Sequence, residues 1–346
     1  MATADYLFSS LRVRLTSDLP EVMAWAEETL QPYFRRSDST SPPDDHVVAR
    51  FTGPPEPVTG PGEPQALFLG RQGTRHGKGA GTRVLDVASG HVFTLFDDRV
   101  IAHYTERSPY VLRDPARLVR ECAVDRMCAR GGSRLHAAAV AIGGSGVLIV
   151  GARNSGGTGK SSTLAHLLAE GADFIANDRL LAVENGHGVR LLGLPVAIRW
   201  GADQLDLFQR ARAFRADYGA RSSLRMTDVK AGHAKYELTP CELSALTGRP
   251  IRPHAPLAAV VVVDRTAGAA SSRCARTRPS GSVLSESRLE RDPAFPSFFR
   301  TAQDERAPGS DRFDRLLDVP WYRITGGHLD IRGAAELVDH IQRQGT

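Results

Sequence analysis

The stretch VLIVGARNSGGTGKSSTLAHLLAEG, from Val147 to Gly171, constrains the fold more than any other part of the chain. Four apolar residues, Val147 to Val150, read as a short buried strand. Leu164, Leu167 and Leu168 fall on one face of a 3.6-residue period, and Gly171 supplies a helix stop. Between the two lie Gly156, Gly157 and Gly159, then Lys160, Ser161 and Ser162. Glycines let backbone N–H groups turn toward a ligand at close range, the lysine adds a cation, and the helix start adds the positive end of a dipole. Such a strand, turn and helix suit a nucleotide phosphate and imply an α/β core. The spacing is irregular. The usual pattern puts a glycine five positions before Gly159, where Asn154 stands, and Gly151 lies three residues further back. A glycine-rich turn with a chance Gly-Lys-Ser is the bland alternative; the flanking strand and helix count against it.

Residues 1–130 have a different texture. LRVRL reads as a strand and LPEVMAWAEETLQPYF as a helix, followed by the polar stretches RRSDSTSPPDDH and TGPPEPVTGPGEPQ, expected as loops. LFLG, TRVLDV, HVFTLF and VIAHY are short alternating segments of the kind that form strands. DPARLVRECAVDRMCARGG reads as a helix capped by Asp114, with Pro115 in its first turn. The expected organisation is a smaller β-rich α+β domain over 1–130 and an α/β domain over 131–346. In the second, AAAVAI and VLIVG are strands around a GGSG turn, DFIAND is another, and RLLAVENGHGVRLLG is a hairpin about Asn185-Gly186. LAAVVVVDR, Leu257 to Arg265, suits a strand buried on both faces. TRPSGSVLSESRLERDP is expected as a loop, and FDRLL, PWYRI and AAELVDHIQRQ close the chain as helix, strand and helix.

Composition excludes some partners. The 346 residues carry a net charge of +5, but no Lys/Arg run is interleaved with aromatics, so nucleic acid is not an expected partner. Cys122, Cys128, Cys241 and Cys274 lack zinc-site spacing and read as reduced, buried thiols. The start lacks the basic and apolar regions of a signal peptide, and no apolar stretch is long enough to cross a bilayer, so a soluble cytoplasmic protein without a membrane partner is expected.

The segments LHAAAV with His136, GVLIVG, GGTGKSSTLAHLL and FIANDR with Asn177 and Asp178 resemble the kinase domain of HPr kinase/phosphorylase and its relatives. The resemblance spans about Leu135 to Leu181. It implies an α/β fold with a P-loop kinase core of the HPr kinase C-terminal-domain type. The family spacing runs without gaps from His136 to Gly151 and from Lys160 to Asp178, so the three extra residues fall inside the loop, where insertions are tolerated.

By that resemblance Gly156, Gly157, Thr158, Gly159, Lys160, Ser161 and Ser162 hold ATP, with GTP and pyrophosphate left open, and Ser161 and Asp178 hold Mg²⁺. The family's Ala-Asp-Asp motif is Ala-Asn-Asp here, which leaves Asp178 as the expected general base beside uncharged Asn177. Lys160 is expected to be catalytic as well as nucleotide-binding, and His136 to be catalytic by its position, against an equal reading as a structural histidine. Asp264, ending VVVVD, is a reserve metal ligand; Arg225 and Lys235 are weaker candidates for neutralising phosphate. RLLGLPVAIRWG replaces most of the Arg-Gly-Leu-Gly-Ile-Ile-Asn run of the bifunctional members, so HPr itself is not the expected acceptor. The implied activity is phosphoryl transfer to a Ser or Thr hydroxyl of a peptide or small protein, as in relatives that tailor lasso precursors, with residues 1–130 recognising the acceptor. A small-molecule kinase and a non-catalytic nucleotide-binding regulator are the alternatives. Many family members form homo-oligomers; the sequence leaves the assembly open.

Overall fold

In a computed structural model of the protein, the described residues are 1–38, 41–51, 57–67, 71–105, 108–152, 158–218, 229–230, 233–265, 272–289, 314–326 and 331–344. They form a mixed α/β protein. Its chain divides into two units, the first over Met1–Arg130 and the second over Gly131–Leu289 and the C-terminal segment.

The first unit begins with the hairpin β1 (Ala2–Phe8) and β2 (Leu11–Ser17), then α1 (Pro20–Leu30), β3 (Arg35–Ser37) and β4 (Asp45–Arg50). It continues with β5 (Glu63–Ala66), β6 (Gln72–His76), β7 (Thr82–Asp86), β8 (Val92–Leu95), β9 (Arg99–His103) and α2 (Pro109–Ala129). The strands make one sheet in the order β3-β1-β2-β4-β9-β8-β7-β6-β5, with β2, β4 and β9 parallel. Alternation sets the faces: Leu11, Val13 and Leu15 of β2 are fully buried, and α2 lies against β2 and β4. Of LFLG, only Leu67 is among the described residues. Strand β5 falls in the stretch expected to be loop.

Helix α2 starts earlier than expected. Pro109 occupies its first turn and Ser108 is the N-cap, so Pro115 lies inside the helix and Asp114 is not a cap. Asp114 instead is fully buried and accepts from Arg71 Nη2 at 2.6 Å, while Arg117 lies at 3.4 Å on its other oxygen. Arg71 also pairs with buried Asp86 and stacks over the Tyr110 ring at 4.0 Å. Burial pushes the Asp114 carboxyl up despite the arginines, and burial lowers Arg117 to about 10.

The second unit contains β10 (Ser133–Leu135), β11 (Ala138–Ile142), β12 (Ser145–Gly151), α3 (Lys160–Ala169) and β13 (Asp173–Ala176). Next come β14 (Leu180–Asn185), β15 (Gly188–Gly193), β16 (Ile198–Trp200), α4 (Ala202–Leu205), α5 (Ala211–Tyr218), β17 (Val229–Lys230), β18 (His233–Ala234) and β19 (Tyr236–Leu238). The rest is α6 (Pro240–Thr247), β20 (His254–Arg265), β21 (Ser272–Thr277), α7 (Gly281–Glu286), α8 (Asp314–Leu317), β22 (Trp321–Gly326) and α9 (Ile331–Gln344). The main sheet has the order β10-β14-β15-β20-β12-β11-β13, with β22 beside β20 and β21 beside β22. Strands β12, β20 and β22 are parallel; β13 runs the same way, because both it and β12 are antiparallel to β11. Val260 to Val263 are buried, as a strand covered on both faces requires.

Helix α3 buries Leu164, Leu167 and Leu168 and ends in a Schellman arrangement. The Gly171 N–H donates to Leu168 O at 3.1 Å and the Ala172 N–H to Leu167 O at 3.0 Å, with Gly171 at φ +99°. The β14–β15 hairpin pairs Asn185 with Gly188, so its turn is Gly186-His187, one residue later than expected, and the Asn185 side chain accepts from the His187 N–H. The segment around Ser280 is helix α7 rather than loop: the Ser280 hydroxyl caps it, and Val283 and Leu284 bury against the sheet. Of the cysteines only Cys122 is buried; Cys241 is exposed and the other two are half-buried. Among the described residues no helix is long and apolar enough to cross a membrane.

Asp114→Ala removes a buried counter-ion of two arginines and should cost about 3–5 kcal/mol. Asp114→Asn should cost less, since it keeps an acceptor. Denaturant unfolding of the two variants checks the order; equal stability of Asp114→Ala and wild type would refute it.

Candidate functional site

The carboxyl ends of β12, β13, β20 and β22 lie at one end of the second unit's sheet, and the start of antiparallel β11 lies there too. This topology gathers Gly151, Asn177, Asp178, Asp264 and His136 at the same end. In open parallel sheets that end is where ligands bind.

Arg153 to Gly157, and so Gly156 and Gly157, lie outside the described residues. From Thr158 the chain is described again. Gly159 caps α3 at φ +95°, a conformation that costs an L-residue about 1–2 kcal/mol. A Cβ on it would also stand 3.3 Å from Val263 Cγ1 on β20. The positive φ favours glycine at the cap, and the contact leaves little room for a side chain. Gly159 O accepts the first helical hydrogen bond, from the Thr163 N–H at 2.9 Å. Lys160 is the first helical residue, followed by Ser161 and Ser162, so all three stand on the turn whose N–H groups lack intrahelical partners. Lys160 is half-buried, and burial lowers its pKa while Asp178 opposes the shift.

Asp178 follows β13 and is the hub of the charges here. His136 Nε2 lies 3.1 Å from its Oδ1 and Arg179 Nε 3.5 Å from its Oδ2. Burial works against ionisation of this carboxyl. The His136 hydrogen bond and the positive charge of His136, Arg179 and Lys160 outweigh it and hold the group down at about 2. With 40% of its side chain still exposed, Asp178 remains open to a ligand. His136 is fixed through its backbone, whose N–H donates to Ser287 O at 2.7 Å, at the end of α7. Asn177, beside Asp178, has a buried Oδ1 without a hydrogen-bond partner among the described residues.

The other candidates lie differently. Asp264 pairs with Arg323 of β22 at 3.0 Å. Side chains alternate along β20, so Asp264 takes the face opposite Val263, the residue that meets Gly159. Lys235 is exposed, and Arg225 lies outside the described residues. Sequence reasoning missed Arg179 as a partner of Asp178, although it stood in the quoted FIANDR. It also missed Ser287, whose helix was read as loop.

The set fits an anion with a hard cation. Lys160 and the α3 N-terminus offer positive charge, and the Ser161 hydroxyl and Asp178 carboxylate are oxygen donors of the kind Mg²⁺ takes. No group of three or more His, Cys, Asp or Glu among the described residues could hold a metal by itself. A Mg²⁺ held chiefly by phosphate oxygens needs only one or two protein donors.

No family model and no curated protein matches the chain. Among solved structures it is similar to the Hpr(Ser) kinase/phosphatase from Coxiella burnetii, at 14% identity and a TM-score of 0.28, over 61% of this chain and 95% of that one. A similarity that loose fixes neither fold nor function.

The depressed Asp178 carboxyl carries a pH dependence. Its folded value of about 2 lies below the ~3.9 of an unfolded aspartate, so its contribution to stability is complete above about pH 4 and is lost as pH falls toward 2. Solvent screening at this exposure keeps the contribution small. The stability difference between wild type and Asp178→Asn, from denaturant melts, should shrink between pH 4 and pH 2; a constant difference contradicts the assignment.

Proposed function

We propose that the chain is a Mg²⁺- and ATP-dependent kinase that transfers the γ-phosphate to a hydroxyl. The observation that carries this reading is the pairing of opposite charges at one sheet end: Lys160 at the start of α3 and Asp178 held ionised by His136. Phosphoryl transfer asks mostly for positioning and charge neutralisation, and a cation and a carboxylate at the same sheet end supply both. In this reading Gly156, Gly157, Thr158, Gly159, Lys160, Ser161 and Ser162 form the phosphate cradle of a P-loop. Ser161 and Asp178 would hold Mg²⁺, which when bound neutralises charge on the phosphate oxygens.

Asp178 accepts a hydrogen bond from the attacking hydroxyl and aims it. At about 2 its carboxyl is a weak base, so it takes the proton late, as the new O–P bond forms. His136 keeps Asp178 in place through the 3.1 Å contact. The proposed acceptor is a Ser or Thr hydroxyl of a cytoplasmic peptide or small protein, recognised by the first unit; a small-molecule hydroxyl is the alternative. Uncharged Asn177 favours a second reading, a regulator that binds nucleotide without transfer.

The test uses the full chain, Mg²⁺ and γ-labelled ATP with cell extract as acceptor source. Lys160→Ala should weaken nucleotide binding and transfer together. Asp178→Asn should keep binding and lose roughly a hundredfold of transfer. Equal transfer by Asp178→Asn and wild type would remove Asp178 from the mechanism, and binding without any transfer by wild type would favour the regulator.

A further inference from the structure

Gln204 lies in the short turn α4, held in place by buried neighbours. Trp200 and Leu205 are fully buried, and Trp200 stacks on Phe208 with ring centroids 5.8 Å apart. Every polar atom of the Gln204 amide has a partner. Oε1 accepts from the Gly201 N–H at 2.7 Å, and Nε2 donates to Asp203 Oδ2 at 2.5 Å and to Ser162 Oγ at 3.3 Å. The first two partners fix which end of the amide is which. A backbone N–H can only donate, so the amide oxygen faces Gly201. A carboxylate can only accept, so the nitrogen faces Asp203. The Ser162 hydroxyl therefore meets an N–H and accepts from it, which leaves its own proton to donate elsewhere. Ser162 stands on the first turn of α3, two residues after Lys160, and an ionised phosphate oxygen only accepts.

We propose that Gln204 is a positioning residue for nucleotide binding: it holds the Ser162 hydroxyl in the orientation that donates to a phosphate oxygen. This rests on the nucleotide reading given above. It couples the turn after β16 to the phosphate end of α3, across 42 residues of sequence. Gly201 belongs to the same device, since a Cβ there would stand 2.6 Å from Asp203 Oδ1 and 3.1 Å from Gln204 Oε1.

Titration calorimetry of the full chain with Mg-ADP tests it, on Gln204→Glu, Gln204→Met, Ser162→Ala and the double variant Gln204→Glu/Ser162→Ala. Glutamate keeps an oxygen facing the Gly201 N–H but loses the donor to Asp203 Oδ2, so the melting of the variant is measured beside its binding. Its other oxygen draws the Ser162 proton away from the ligand. Binding should weaken about tenfold in Gln204→Glu and about threefold in Gln204→Met, which neither donates nor accepts. Adding Gln204→Glu to Ser162→Ala should bring no further loss. Equal affinity of wild type and Gln204→Glu overturns the proposal. So does an undiminished loss in the Ser162→Ala background, which would mark a plain charge effect. If Gln204→Glu melts well below wild type, Gln204→Met decides, and unchanged binding there overturns the proposal. A wild type that binds no Mg-ADP refutes the nucleotide reading itself, and the proposal with it.

Discussion

The left-handed turn at Gly159, beside β20, fixes where helix α3 begins. Helix α3 begins in a left-handed residue pressed to within Cβ contact of Val263, so its first turn stands at the carboxyl ends of β12 and β20. Lys160, Ser161 and Ser162 inherit their places from that one residue. The buried face of the helix then holds it on the sheet through Leu164, Leu167 and Leu168, and the Schellman arrangement at Gly171 turns the chain directly into β13. Asp178 comes at the end of that strand. Helix and strand thus run without a break from the glycine cap to the carboxylate.

Two aspartates show how this protein sets carboxyl chemistry by environment. Both Asp114 and Asp178 have cationic neighbours. Asp114 is sealed from solvent, and burial prevails over its arginines and raises its carboxyl. Asp178 keeps part of its side chain in water, and there His136, Arg179 and Lys160 prevail and lower it. Burial opposes ionisation at both, and the balance between it and the hydrogen-bonded cationic neighbours falls on opposite sides. Asp114 serves a core that must not be opened, whereas Asp178 is charged and reachable.

Much of this was legible in the sequence wherever a period or a turn carried it. The helical face of α3, the valine run of β20 and the β14–β15 hairpin follow from patterns that local burial enforces. The failures also have local causes. Pro115 after Asp114 imitates a helix start, but Pro109 already supplies one six residues earlier, and Asp114 is drawn to Arg71, a partner 43 residues away. Helix α7 spans only Gly281–Glu286, too short for a period to show, so the segment that fixes His136 looked like loop. The capping box of α6, Thr239 with Glu242 around Pro240, was readable and was not read. The contacts of Asp178 with His136 and of Gln204 with Ser162 join segments that only the folded sheet brings together.

The low pKa of Asp178 bears on which chemistry this end of the sheet can perform. A reaction that begins by stripping a proton from a weak acid needs a base tuned near neutrality, and burial without cations would have provided it. The arrangement around Asp178 does the opposite, fixing negative charge next to Lys160 and the positive end of α3. In the proposed reading a carboxylate of low basicity aims a hydroxyl and shares a cation, and contributes little driving force for early deprotonation. Transfer of a phosphoryl group through a loose transition state makes that demand only late, when the nucleophile's proton has become acidic. In the proposed kinase reading, that late demand is the one a carboxylate held low by its cationic neighbours can meet.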